Sequence, residues 1–333
     1  MEDSANQLWV GTFSGGLNVF NPKTNQFDHP SYPSVSNYTG VIFEDREKNI
    51  WIGRDKGIDV INKNNGHVKH YTYQPKKQNT LVANDVNCII QDNNGLMWIG
   101  TKEGISVLDA QTDQFINIQE KQGLPSNSVL SMIEDNRGRI WMSTANGIAN
   151  VQLVKNQSGY SYQIHNYNGF DGLQGNEFNA NAAFKCKNGN IIFGGAHGFN
   201  LFNPDQIHSS SLKLNLVFTD FQLFNQSVEV GDTINNKVLL KEAITKTKAL
   251  TLDHNENAFS VAFAALNFYN PDKIIYQYKL DGFDKQWFKA NNLRKATYTN
   301  LDAGNYVLKV KATDRNDPAN VSNTTLRITV LPP

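Results

Sequence analysis

Cysteine is nearly missing from this sequence: Cys88 and Cys186 are the two in 333 residues. Two thiols without paired spacing exclude a disulfide framework and a zinc site of the C-x-x-C kind, so both are expected to be ordinary buried thiols. An excess of charge is missing too, since 31 Lys and Arg stand against 31 Asp and Glu. Without a net field the chain has no general attraction to phosphate polymers or acidic membrane, and nucleic acid is not an expected partner. No apolar run approaches the roughly 18 residues of a membrane span, and the opening MEDSANQ has no signal-peptide pattern. Any export signal or membrane segment is therefore expected outside these residues. Hydrophobic residues at 39% and charged residues at 19% fit a folded chain, and the length points to about two domains.

What is present is a phrase said four times: LWVGTFSGGLNVF (8–20), IWIGRDKGIDVI (50–61), MWIGTKEGISVL (97–108) and IWMSTANGIANV (140–151). Trp9, Trp51, Trp98 and Trp141 are separated by 42, 47 and 43 residues, a period of propeller-blade length. A fifth copy, GNIIFGGAHGFNLFNP (189–204), puts Ile192 in the Trp place after 51 residues, with 155–177 as the expected insertion. Asp3, Asp45, Asp92 and Asp135 each stand six residues before a Trp, and Gly15, Gly57, Gly104, Gly147 and Gly198 stand six after each anchor. The segments EDREKN, QDNNG and EDNRG read as hairpin turns that Asp caps and Gly relaxes through positive φ. I-W-I-G-T is a β-rich run too short for a helix, and the T-x-x-G after it is a second turn.

Each copy thus resolves into four short strands, the outermost around Phe27, His70, Phe115 or Tyr167, and such units repeated at this length predict a β-propeller. The four Trp are expected between adjacent sheets, where full burial of a large apolar side chain contributes about 1.5 to 3 kcal/mol. Glu2-Asp3 aligns with Glu44-Asp45 and Glu134-Asp135, so the sequence is expected to open inside a blade and to be a piece of a longer protein. From about Leu212 the repeat gives way to alternating strands with Asp-Gly and Asp-Ala-Gly turns, among them KIIYQYKLDGFDKQWFKA and KATYTNLDAGNYVLKVKATD. These predict an immunoglobulin-like sandwich. The expected fold is therefore all-β, with partial or complete propeller repeats over 1–208 (five blades or part-blades) and a sandwich over 209–333.

LWVGTFSGGLNVFNPKTNQF and GFDGLQGNEFNANAAFKCKNGNIIFGGAHGFNLFNPDQI resemble the two-component regulator propeller repeat of hybrid two-component sensors, over roughly residues 2–208. The block from Phe268 to Thr313 resembles the Y_Y_Y domain, with Tyr276, Tyr278, Trp287, Tyr298, Gly304 and Tyr306 in matching places. The resemblance implies the periplasmic sensor part of an inner-membrane protein, with a membrane helix after the closing VLPP and kinase, receiver and DNA-binding modules beyond it. It further implies an oligosaccharide ligand, homodimerisation through the C-terminal domain and control of polysaccharide-utilisation genes. Family sensors commonly carry two seven-bladed propellers, against five blades or parts counted here.

The Asp-rich turns lack the alternating acidic ligands and closing Glu of a calcium loop, and only His67 and His70 lie close together, so neither metal nor cofactor is expected. A propeller hydrolase or lyase, the alternative reading, would need convergent carboxylates such as Glu103, Asp171 and Glu177; a surface adhesion module is the third. No catalytic residue is assigned. In a meander, turns between second and third strands share a face with the connections into the next blade. That places Arg54, Asp55, Lys102, Glu103, Asn146 and His197 on one face as candidate ligand contacts. Tyr276, Tyr278, Trp287, Tyr298 and Tyr306 are expected as sandwich core and tyrosine corner rather than sugar platforms, with Trp287→Ala expected to cost about 3 to 5 kcal/mol.

Overall fold

Short alternating segments broken by Asp, Asn and Gly turns leave the chain no route to long helices, and strands dominate it. The computed structural model describes residues 1–30, 32, 34, 36–157, 159–207, 213–266, 271–317 and 319–333. Leu212 and Phe268, named above as segment openings, lie outside them. The chain divides into two compact units, 1–208 and 209–333.

The first unit is a series of antiparallel blades. Blade one holds β1 (Trp9–Gly11), β2 (Leu17–Asn21) and β3 (Gln26–Asp28). Blade two holds β4 (Val41–Glu44), β5 (Ile50–Gly53), β6 (Ile58–Ile61) and β7 (Val68–Tyr71). Blade three holds β8 (Val86–Gln91), β9 (Met97–Thr101), β10 (Gly104–Asp109) and β11 (Gln114–Ile118). Blade four holds β12 (Val129–Glu134), β13 (Ile140–Thr144), β14 (Gly147–Asn156) and β15 (Gly159–Tyr167). Blade five holds β16 (Phe178–Lys185), β17 (Ile191–Gly195) and β18 (Gly198–Phe202). Strands pair in chain order within each blade, so each is a meander. The expected insertion at 155–177 is in part the lengthened β14–β15 hairpin, paired from Ile148–Tyr167 out to Asn156–Gly159.

The Trp-bearing face of each blade packs on the following one. Trp9 meets Ile50 and Ile52, Trp51 meets Met97 and Ile99, Trp98 meets Ile140 and Met142, and Trp141 meets Ile191 and Phe193. The Asp at the fixed offset does more than cap its turn. Its carboxylate accepts the buried indole N–H: Trp9 to Asp3 at 2.8 Å, Trp51 to Asp45 at 2.7 Å, Trp98 to Asp92 and Trp141 to Asp135 at 2.9 Å. The same carboxylates take turn amides, for example Leu96 and Asn94 on Asp92. A buried indole donor and an otherwise costly buried carboxylate thereby satisfy each other.

One turn departs from the six-residue rule. Trp9 pairs with Val19 where Trp51 pairs with Val60, so blade one carries an extra turn residue, and Gly16 (φ 69°), not Gly15, takes the left-handed position.

The second unit is a sandwich built from β19 (Leu216–Leu223), β20 (Gln226–Ser227), β21 (Thr233–Ile234), β22 (Lys237–Val238), β23 (Ala249–Leu252), β24 (Phe259–Ala265), β25 (Ile274–Asp281), β26 (Phe288–Lys289), β27 (Lys295–Tyr298), β28 (Gly304–Asp314) and β29 (Val321–Val330). One sheet runs β20-β19-β24-β27 and the other β23-β29-β28-β25-β26, with β21 and β22 as a small separate hairpin. Phe218, Phe221, Val261 and Phe263 of one sheet share a core with Tyr276, Leu308, Val310 and Ile328 of the other. Tyr276, Tyr298 and Tyr306 are buried and Tyr278 is partly buried against that core. The Tyr306 hydroxyl donates to the Asp302 carbonyl at 2.9 Å, a tyrosine corner. Trp287 corrects the expectation: it is 42% exposed. It sits in the loop between β25 and the two-residue edge strand β26, after the chain has left the inward-facing alternation of β25.

Candidate functional site

The turns between second and third strands do share a face with the connections into the following blade. Gly57 donates its amide to the Asn84 carbonyl at 3.0 Å and Gly147 to Asn176 at 2.6 Å, while Lys102 and Ala145 bond Asp85 and Ser128 of the connections into their own blades at 3.2 and 3.1 Å. Of the six residues placed there by sequence, five are exposed: Asp55, Lys102, Glu103, Asn146 and His197. Asp55 accepts from the Ser36 hydroxyl, and the Lys102 ammonium lies 3.1 Å from Asp85. The Asn146 amide donates to the Pro125 carbonyl at 3.2 Å, and the His197 backbone N–H is fixed by Gln174 at 2.8 Å. The backbone carbonyl of the exposed Glu103 accepts from Gln119 at 2.9 Å.

Arg54 is the correction on this face. It is 1% exposed and occupies the place held by Thr12, Thr101 and Thr144, whose hydroxyls merely close the turn. Its Nε donates to Asp59 at 2.7 Å, Nη1 to the Tyr38 carbonyl and Thr39 hydroxyl, and Nη2 to the Tyr32 hydroxyl at 2.6 Å. A guanidinium so fully bonded and covered braces the loop before β4 and is not offered to a ligand.

Asp59 was not expected from sequence, and His70 was expected only on an outer strand near His67. Asp59 is fully buried, ion-paired to Arg54 and 2.7 Å from Nδ1 of the half-exposed His70. In blades three and four the corresponding residues are Ser106 and Ala149 opposite Asn117 and Asn166. The signal was available in the repeat itself: a charge at a position where sister copies are small, next to an Arg where they have Thr. Blade two thus carries the one buried Arg–Asp pair among the described residues, with an imidazole leading from it to solvent.

The opposite turns leave a groove of about 500 Å³ between blades two and three. Its lining includes the nearly fully buried Trp51, Val60 and Met97 and the polar Asp45, Glu47, Asn62, His67, Lys69 and Gln111. Tyr160, Tyr162 and Ile164 of the long hairpin pack against the core shared by blades three and four. Lys69 lies 4.6 Å over the Tyr71 ring and 2.7 Å from Asp113, clipping the two blades together beside the groove. Burial would raise the Tyr71 hydroxyl pKa, and it does so despite the nearby Lys69 ammonium.

Among the described residues no group of three or more His, Cys, Asp or Glu is arranged to hold a metal. Asp171 accepts the Asn168 amide at 2.9 Å and so helps close a short turn of helix. Cys88 is buried against Gly100, and burial pushes its thiol up to about 12, far from a nucleophile's range.

Comparison with known proteins finds matches in both parts. Residues 267–331 match the Y_Y_Y domain, and residues 80–103 and 123–146 match the two component regulator propeller. Histidine kinase P4 of Formosa agariphila is 31% identical over 98% of this chain, which spans 24% of that relative's length. Among solved structures, the extracellular domain of BT3049 from B. thetaiotaomicron, described as a hybrid two component system, is 23% identical at a TM-score of 0.46, covering all of this chain and 50% of that one. The extracellular domain of BT4673 from the same organism is 24% identical at 0.47, covering all of this chain and 44% of that one.

Proposed function

Because the chain carries two component regulator propeller repeats followed by a Y_Y_Y domain, we propose that it is the extracytoplasmic sensing region of a hybrid two-component histidine kinase. The observation that carries this reading is the order of the two modules together with a histidine kinase relative similar along nearly the whole chain. Phosphotransfer belongs to other parts of such a protein. The work of these residues is recognition and transmission, in the periplasm, with an oligosaccharide as ligand and genes for polysaccharide use as output.

The groove supports the ligand class as a concave surface with several side-chain hydrogen-bonding groups, Asn62, His67 and Gln111 among them. The exposed set Asp55, Lys102, Glu103, Asn146 and His197 on the other face is the second place where a ligand or a further domain would make contact. Signal passes through a homodimer formed by the C-terminal domains. Magnitudes favour coupling of two sites: driving a switch from 1:99 to 99:1 takes about 5.5 kcal/mol of differential affinity. A sugar bound at about 1 mM supplies about 4 kcal/mol in all.

Saturation-transfer NMR against a panel of plant, fungal and host oligosaccharides tests the reading. Transfer without chemical change is the expected result, and new reducing-end signals would instead establish a hydrolase or lyase. Gln111→Ala with His67→Ala and Lys102→Ala with Glu103→Ala, measured in parallel, separate the groove from the opposite face. No transfer from any sugar would count against the ligand class.

A further inference from the structure

The sandwich unit is not charge-balanced as the whole chain is. It holds 15 Lys and Arg against 12 Asp and Glu over 209–333, and cations gather on one of its sheets. In β25, β28 and β29, core residues alternate with residues of the outer face. Leu280, Leu308 and Leu326 pair across the three strands on the inside, and Lys279, Lys309 and Thr325 pair across them on the outside. The outer row to one side is Lys289, Gln277, Lys311 and Asn323, and the row to the other is Asp281, Val307 and Arg327. Three adjoining rows thus present five cations against one carboxylate. Asp281 lies 3.2 Å from Lys279 and 2.5 Å from Lys309, so its charge is divided between two of the five.

At the β26 margin of this sheet the chain exposes three large aromatics within six residues, Phe283, Trp287 and Phe288. Phe288 rests on Tyr278 and Phe283 on Tyr298, with ring centroids 6.0 and 5.9 Å apart, so both are seated on the core. The acid of this loop does not balance its lysines. The Asp284 carboxylate accepts the Leu280 amide and the Tyr298 hydroxyl, both at 2.7 Å, whereas Lys285 and Lys289 are exposed.

Exposed aromatics beside a cationic face fit a partner that is anionic at its surface and apolar just beneath. A second copy laid on the same patch would set lysine against lysine, a repulsion that one Asp281 does not offset. A soluble polyanion would satisfy the lysines and leave the rings in water. An anionic bilayer serves both, since its headgroups take the ammonium groups and its interfacial zone takes aromatic rings.

We propose that this outer face and its aromatic margin form a peripheral binding surface for an anionic phospholipid bilayer, with Trp287 and Phe288 entering the interface and Lys289 and Lys311 over the headgroups. The proposal rests on the extracytoplasmic reading in that a bilayer is then at hand. Its test contains no sugar, so either can fail without the other.

The full chain is mixed with vesicles of phosphatidylcholine alone or of equal parts phosphatidylcholine and phosphatidylglycerol, and binding is measured by co-sedimentation. Binding to the anionic vesicles is expected to be at least about tenfold tighter than to the neutral ones and to weaken with added salt. Trp287 supplies a direct probe, because Trp9, Trp51, Trp98 and Trp141 are buried. Lipid brominated in its acyl chains is expected to quench the fluorescence of the parent and not that of Trp287→Ala. Lys289→Glu with Lys311→Glu should weaken binding at least about tenfold, while the equal charge change Lys76→Glu with Lys77→Glu, at exposed positions of the propeller unit, should alter it less than about twofold. No preference for anionic vesicles, or equal losses in the two charge variants, would overturn the proposal. Binding without quenching would overturn it in favour of a soluble polyanion. A doubling of mass without lipid that Lys289→Glu with Lys311→Glu abolishes would overturn it in favour of a second copy.

Discussion

Asp92 illustrates how much one side chain can hold in a repeat of this kind. It is buried and accepts the Trp98 indole at 2.9 Å and the Leu96 amide at 2.9 Å. Asp92→Ala strands both donors, and at about 1 to 3 kcal/mol for each unsatisfied buried group the expected loss is about 2 to 6 kcal/mol. Urea unfolding followed by tryptophan fluorescence measures it, and a loss under about 1 kcal/mol would show that the indole contact contributes little. The pairing was half legible: the constant offset of six was visible, but the direction of the indole was not, since it depends on the hairpin bringing its two ends together.

At the scale of elements, the sandwich distinguishes tyrosines that anchor strands from an aromatic that decorates a loop. Tyr306→Phe removes the corner bond to Asp302 and is expected to cost about 0.5 to 1.5 kcal/mol, whereas Trp287→Ala should fall within about 1 kcal/mol of the parent. Paired thermal melts and urea curves decide this, and a large loss at Trp287 would return it to the core. Tyr298 shows the same anchoring at β27, donating to Asp284 at 2.7 Å, and its pKa is raised by burial with the Asp284 carboxylate adding to the effect. Alternation in YQYKL and YVLKVKA was enough to mark these strands. The loop after Asp281 obeys no such period, and Trp287 was misplaced for that reason.

At the scale of the whole molecule, acid is the condition the first unit should resist least. Burial by itself would raise the Asp3 carboxyl, but hydrogen bonds from Lys63, Trp9 and the Gln7 and Ala5 amides outweigh it and hold the pKa at about 2, against an ordinary 3.8. Asp135 is held low in the same way, burial being overcome by Trp141 and the Arg139 and Arg137 amides. A carboxyl depressed on folding stabilises fully above its unfolded pKa, and that contribution is lost as pH falls through the folded value. Melting temperature should therefore drop between about pH 4 and pH 2, and Asp3→Asn should flatten that slope while lowering stability at neutral pH. Glu134, raised by burial, works in the opposite sense, its contribution falling as pH rises through its folded pKa. An unchanged slope in the Asp3 variant would remove the latch from the account of acid sensitivity.

The amino-acid sequence by itself determined the period, the Asp–Trp–Gly anchors and the passage from propeller to sandwich, because these rest on local alternation and turn chemistry that repeat along the chain. Tertiary structure alone decided that Arg54 is sealed beneath the face where it was expected and that Asp59 and His70 stand with it. Burial and pairing of that kind depend on segments tens of residues away closing over a side chain or failing to. A blade can therefore be read from its own residues, while the use of its surfaces is set by its neighbours.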